Sequence, residues 1–410
     1  MNFASRLRAN VVLLTFLIAY GLTTVAGNLV YLTPYSEVFA GSSIKNFDIR
    51  TFPTADAGYW ILLLMPFVIT PPIALVIRQF FQRSVNRVTS NIPAIRIPAY
   101  IVLCAVCYGF IVFSFYRIGV IDMATRGASA AASAEARFEL LAALGFWPQV
   151  VLKSILIFLS VYSVIEALES GGKFWISTAI LNVLLMTALL LLLNMKWPAV
   201  LFYLAIVLCI VVTQSRLSLF ILAIASSIVI YLAITTLVTR FATAQDKTVL
   251  NTFGTFVSGA VNRMSLPYPY YYRTFASAGP ICGTIVDRLE RKISPCQPST
   301  LIYEQIFGKD GFEGRGTAPA AAHITGYALG GWTGALVEML LVSVVIGLFA
   351  GVSIGGTMTA TIVVMGAVAG YYLSQLPFEA TIIYDHGMLW WVILLAVYAA
   401  ATGITNRWVR

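Results

Sequence analysis

The sequence predicts an all-α, polytopic membrane protein with about ten transmembrane helices and one large outer loop. Three observations carry this. The 410 residues are 59% hydrophobic and only 10% charged, where a soluble chain carries roughly a quarter charged residues. Apolar runs of about 18 residues or more, enough to cross a bilayer, recur along the chain. The basic residues sort to one set of the short connections between those runs, as the positive-inside tendency requires.

Taken in order, the expected spans are roughly 10–32, 57–79, 98–117, 146–168, 174–194, 197–214, 217–239, 330–352, 357–376 and 388–405. The first has a basic start and a long apolar stretch with no small-residue cleavage site, so it is expected to be a signal anchor. The fifth to seventh are parted only by "NMKWP" and "QSR" and are the easiest to miscount. With the N-terminus in the cytoplasm, that side holds Arg6, Arg8, Arg78, Arg83, Arg87, Arg96, Lys173, Arg216, Arg407 and Arg410. Only Glu166 and Glu169 oppose them there. The net charge of +9 is therefore mostly a topology signal and a contact for anionic lipid. Nucleic acid is not needed to explain it. Both termini are expected in the cytoplasm.

This layout divides the chain into an N-terminal membrane bundle (1–239), a large outer loop (240–329) and C-terminal membrane helices (330–410). Connections of such length are usually functional. Within the loop, 248–264 and 283–293 have the pattern of amphipathic helices lying on the membrane face. Cys104, Cys107 and Cys209 fall in spans and read as packing residues. Cys282 and Cys296 both fall in the outer loop, where an oxidising compartment would let them pair; the alternative is two unpaired apolar residues.

Several chemistries are excluded by what is missing. The chain has no GxxxxGK[ST] loop, no Asp-x-Asp and no GxSxG elbow. Two histidines without neighbouring carboxylate pairs make a zinc site improbable, and no metal or cofactor is expected.

What remains is a basic outer loop. Arg263, Arg273 and Arg315 are its best candidates, because a planar guanidinium grips phosphate oxygens bidentately. Arg273 ends "PYPYYYR", whose Tyr271 and Tyr272 either stack on sugar or anchor the interface. Charges inside spans are functional candidates by default. Lys153 and Arg117 lie near outer span ends, and each either snorkels outward or faces a substrate groove. Glu338, two turns into the eighth span, is a partner for Lys153. Asp385 and His386, in "IIYDHGMLWW", are secondary candidates; His386 reads equally as an interfacial polar cap.

From Arg315 the chain reads RGTAPAAAHITGYALGGWTG. It pairs Arg315 with Gly326 in an R-x10-G spacing, sets His323 eight residues after the arginine, and feeds a glycine-rich start to the next span. Gly330, Gly331 and Gly334 fit close helix approach. With the large late loop and Ser215–Arg216 before the seventh span, this resembles the Wzy-type O-antigen and capsular repeat-unit polymerases, and their relatives the O-antigen ligases. The resemblance implies a GT-C-like glycosyltransferase bundle. It implies metal-independent, inverting transfer of undecaprenyl-diphosphate-linked glycan onto a lipid-linked repeat unit at the periplasmic face. Arg263, Arg273 and Arg315 would face the leaving diphosphate, and His323 would be the base, with Asp385, His386 or Glu338 as substitutes. A chain-length regulator and a flippase are the implied protein partners. In the ligases an Asn follows the histidine; here it is Ile324, which weighs against a ligase. A flippase or other transporter is the non-enzyme alternative, but the internal repeats such folds often show are missing.

Overall fold

The computed structural model describes residues 10–41, 48–120, 139–193, 196–213, 261–280, 298–308 and 316–408. Among these residues there is helix and no strand. Six helices are long and apolar enough to cross a membrane: α1 (Val11–Tyr31), α2 (Ala57–Ser90), α3 (Ile97–Ile118), α4 (Phe146–Ser170), α5 (Lys173–Leu192) and, later in the chain, Ala322–Ala350. Shorter apolar helices occupy three further expected spans. These are α6 (Lys196–Thr213), α10 (Thr357–Leu373) and α11 (Met388–Trp408). Between them come α7 (Pro267–Ala278), α8 (Pro298–Phe307) and α9 (Ala322–Ala350). The expected seventh span, 217–239, lies outside the described residues, as do Arg216, Arg315, Cys282, Cys296 and the segment 283–293.

Two boundaries differ from the sequence reading, for different reasons. Helix α2 runs to Ser90, well past the apolar stretch and through Pro66, Pro71 and Pro72. Hydropathy marks where hydrocarbon ends, and a helix with basic and polar residues can continue into water. Helix α9 starts at Ala322 but is broken at Gly330 (φ −146°, ψ 19°) and Gly331 (φ 61°, ψ −151°). The expected start of the eighth span at 330 is therefore the bend, and a short buried arm precedes it. Gly331 needs its missing Cβ for that backbone conformation.

Burial ranks the helices. In its most apolar window α4 is 72% buried, against 17% for α3. Every residue from Leu156 to Ile165 of α4 is buried, as is every residue from Met358 to Leu373 of α10. A helix apolar on all sides belongs at the centre of the bundle, and these two touch each other as well as α6. Polar side chains lock the packing. Asn182 on α5 donates to Tyr100 (2.6 Å) and Ser163 (3.1 Å) and accepts from Tyr108 (3.1 Å), joining α3, α4 and α5. Such bonds between spans contribute about 0.6 kcal/mol each on average. Cys107 and Cys209 are buried and Cys104 half-buried, all three with free thiols, as packing residues should be.

The helix ends sort into two sets. One set joins Arg78 to Asn10 (3.0 Å), Asn86 to Ser353 (2.9 Å) and Thr357 to Glu166 and Glu169. This is the arginine-rich end, with Arg83, Arg87 and Arg96 nearby in sequence. The opposite end carries Tyr31, Asp56, α7, Lys153 and Asp385, and the candidate residues gather there.

Candidate functional site

The tyrosine-rich helix α7 is core, not surface. The alternation of Pro and Tyr in "PYPYYYR" gives an amphipathic helix whose Tyr268, Tyr270, Tyr271 and Tyr272 are all buried. Tyr268 donates to the Tyr59 carbonyl, and Tyr271 donates to the Ala318 carbonyl (3.3 Å). Tyr272 donates to Asp56 Oδ2 (2.6 Å) and stacks on Tyr327 at 5.8 Å. This corrects the expectation that Tyr271 and Tyr272 stack on sugar. Their rings are already occupied by protein, because α7 wedges between α1, α2 and α9. Just before α7, Asn262 and Ser265 meet Tyr31, while Asn28 donates to the Ser265 carbonyl (3.2 Å) and accepts from Tyr59 (2.7 Å).

Two arginines ride on this docked segment. Arg273 is half-buried, its guanidinium 4.5 Å above the Phe52 ring and 5.2 Å from Tyr270. Such contacts hold a cation in place while leaving its N–H edges for a ligand. Arg263 is exposed and lies within electrostatic reach of Tyr303 on α8. Gly316, which follows Arg315 in the chain, packs so tightly on the Tyr303 ring that a Cβ would overlap it.

From Gly316 the chain dives. His323 reaches Tyr20 and the Leu63 level of α2, about 9 Å below Ala57 at 1.5 Å per residue. The arm 322–329 then climbs back, bends at Gly330–Gly331 and descends as the long part of α9. Gly326 and Gly334 meet backbone to backbone across this hairpin, so a Cβ on either would clash with the other. A Cβ added at Gly330 or Gly331 would meet nothing within 4 Å; these glycines serve the bend, whereas the sequence reading gave them close packing. The half-buried Glu338 lays its Cγ against Gly326.

His323 is 1% exposed. Its Nε2 is 3.2 Å from the Tyr20 hydroxyl, whose own hydrogen goes to the Leu63 carbonyl (2.9 Å). With that hydrogen committed, the ring nitrogen is the donor. The imidazole is thus enclosed and pins the re-entrant arm to α1 and α2. Among the described residues it is closed off from the surface, which does not favour the base role read from sequence.

A second polar cluster lies across the C-terminal end of α10. Lys153, 8% exposed, is paired with Asp385 (Nζ–Oδ1 3.2 Å). The expected Lys153–Glu338 pair is not made, because Glu338 belongs to the hairpin. Ser154 donates to the Gly387 carbonyl (2.7 Å), and Gly387 (φ 60°) has no room for a Cβ beside Ser154. His386 is fully buried against Tyr372 (5.3 Å, near-parallel), with neither ring nitrogen in a hydrogen bond. It is no interfacial cap. Arg117 is exposed in the last turn of α3, beside the left-handed Gly119 cap, where a cation favours the helix dipole. Among the described residues, no hydrogen bond or ion pair ties it to either cluster.

Three π-helical turns occur among the described residues, and each borders one of these clusters. Gly21–Val25 follows Tyr20, Val151–Ile155 contains Lys153, and Ala380–Tyr384 precedes Asp385. Such turns are often found at functional sites, and no sequence pattern announces them. Tyr20, Asp56 and Asn28 were also missed. Asn28 was detectable as an amide inside an apolar span, and Asp56 as a helix-capping residue before Ala57–Gly58.

Comparison with protein-family models, curated proteins and solved structures gives no match. The chemistry therefore rests on the residues themselves.

Proposed function

We propose that the protein polymerises undecaprenyl-diphosphate-linked oligosaccharide repeat units on the periplasmic face of the inner membrane, by metal-independent inverting glycosyl transfer. One observation supports this above others. A docked segment that carries Arg263 and, on α7, Arg273 lies beside a re-entrant turn at the end opposite the arginine-rich one. Positive charge held at that depth suits a lipid-borne diphosphate. As the glycosidic bond to the diphosphate breaks, charge grows on the leaving oxygen, and preorganised guanidinium groups stabilise it without a metal. Arg315, just upstream of Gly316, completes the basic set in this reading. The acceptor hydroxyl attacks the sugar carbon as the diphosphate departs, and its proton passes to a base. Asp385, whose side chain is 42% exposed, has the access that His323 lacks.

The test is the glycan profile of cells carrying Arg315→Ala. Long chains should vanish while single repeats stay on the lipid anchor. Normal chain lengths would remove the diphosphate role, and loss of every surface repeat would favour a ligase or flippase.

A further inference from the structure

We infer that the Asp385 cluster is a carbohydrate-binding subsite that receives the glycan of the incoming acceptor, separate from the arginine-bearing hairpin. The inference rests on the polymerase reading for the identity of the glycan, but not for the existence of the site. Trp147 and Tyr384 are more than half exposed, and Phe146 is 37% exposed. The rings interlock edge to face: Phe146–Trp147 at 5.2 Å, Phe146–Tyr384 at 5.9 Å and Trp147–Trp390 at 5.1 Å. They rim a carboxylate that Lys153 fixes from below. Exposed rings take the C–H face of a pyranose, and a fixed carboxylate accepts from its hydroxyls.

A simple interfacial belt does not account for this arrangement. Trp390 turns its N–H inward to the Ile383 carbonyl (2.8 Å), away from any headgroup. Beneath the rim, His386 is fully buried with the Met365 carbonyl beside its ring but no well-formed hydrogen bond at either nitrogen. The two clusters flank one helix end. Tyr372 of α10 stacks on His386, and Gln375 just beyond it donates to Thr23 (2.7 Å), three residues from Tyr20. Two lipid-linked glycans meeting around α10 need two such subsites.

The test uses the full chain in nanodiscs and, as probe, the free oligosaccharide released from the lipid-linked repeat unit by mild acid. Calorimetric titration should show binding to the wild type. Asp385→Asn and Trp147→Ala should each weaken it by about tenfold or more, while Tyr116→Ala, an exposed aromatic outside the cluster, should not. With lipid-linked repeats as substrate, Trp147→Ala should raise KM more than it lowers kcat, whereas Asp385→Asn, which also removes the base of the proposed reaction, should lower kcat as well. Asp385→Asn keeps the side-chain shape, and if it does not fold, Trp147→Ala decides alone. Wild-type titration curves for Trp147→Ala overturn the inference even where the wild type makes long chains. Binding of the free glycan without chain growth overturns the polymerase reading and keeps the site. Neither binding nor chain growth in the wild type overturns both.

Discussion

The hairpin around His323 and the cluster around Asp385 are built from the same residue types in opposite ways. At the hairpin the groups interlock. Tyr20 donates to Leu63, His323 meets Tyr20, Tyr271 reaches Ala318 and Tyr272 reaches Asp56. At Asp385 the lysine is paired, but the carboxylate faces outward and the neighbouring histidine has no hydrogen bond. The difference teaches where to look for rigidity and where for ligand. Satisfied polar groups inside a membrane hold a shape. Polar groups left open at a rim await a partner.

The comparison breaks first at the glycines. Gly326→Ala or Gly334→Ala places a methyl inside the opposing backbone, and about 3 kcal/mol of stability should be lost. The check is the melting temperature in detergent; a melt within error of wild type would mean the hairpin is not tight. Next, His323→Ala should cost about 2 kcal/mol through a cavity and an abandoned Tyr20 hydroxyl. His323→Gln, which keeps a donor, should recover part of that. If His323 is only an anchor, the two variants should polymerise in proportion to the folded protein recovered. A complete loss of chains in well-folded His323→Gln would restore the base role.

The Lys153 pair should matter less to the fold. Asp385 is half in water, so Lys153→Met should shift stability by only about 1 kcal/mol, in chemical denaturation, while Asp385→Asn acts on glycan binding.

The smallest effect is acid dependence at Asp56. The Tyr272 hydroxyl and the Gly58 N–H hold its carboxyl below the ordinary value of 3.8. A lowered folded-state pKa means the unfolded chain binds the proton more readily, so the contribution is present above 3.8 and fades as pH falls through the lowered value. The melting difference between wild type and Asp56→Asn should be full at neutral pH and close in acid. A gap that widens in acid would contradict the assignment.

Much of the fold was legible because hydropathy is local. Each lipid-crossing run reports itself, and hydropathy put the start of the eighth span at 330, although Gly330 and Gly331 read as packing residues and not as the bend they form. The sites were less legible. The Lys153–Asp385 pair joins residues 232 apart, and no spacing rule reaches that far. Glu338 looked like the natural partner because it is the other acid inside a span. Tyr271 and Tyr272 misled for another reason: tyrosine suits a sugar face, an interface and a wet core equally well. Only the docking of α7 between three spans tells these apart. Arg263 and Arg273 stand out in the sequence because a planar guanidinium suits phosphate oxygens, and the structure sets both on the docked segment around α7.

The most direct measurement of the central claim is chain growth by the purified protein in nanodiscs, given lipid-linked repeat units and a chelator. The account expects a ladder of products lengthening by whole repeats, undiminished by the chelator, and shortened or abolished in an Arg263→Ala/Arg273→Ala double variant that melts like wild type. Intact protein that leaves the repeat units unjoined, or a ladder indifferent to both arginines, would contradict it.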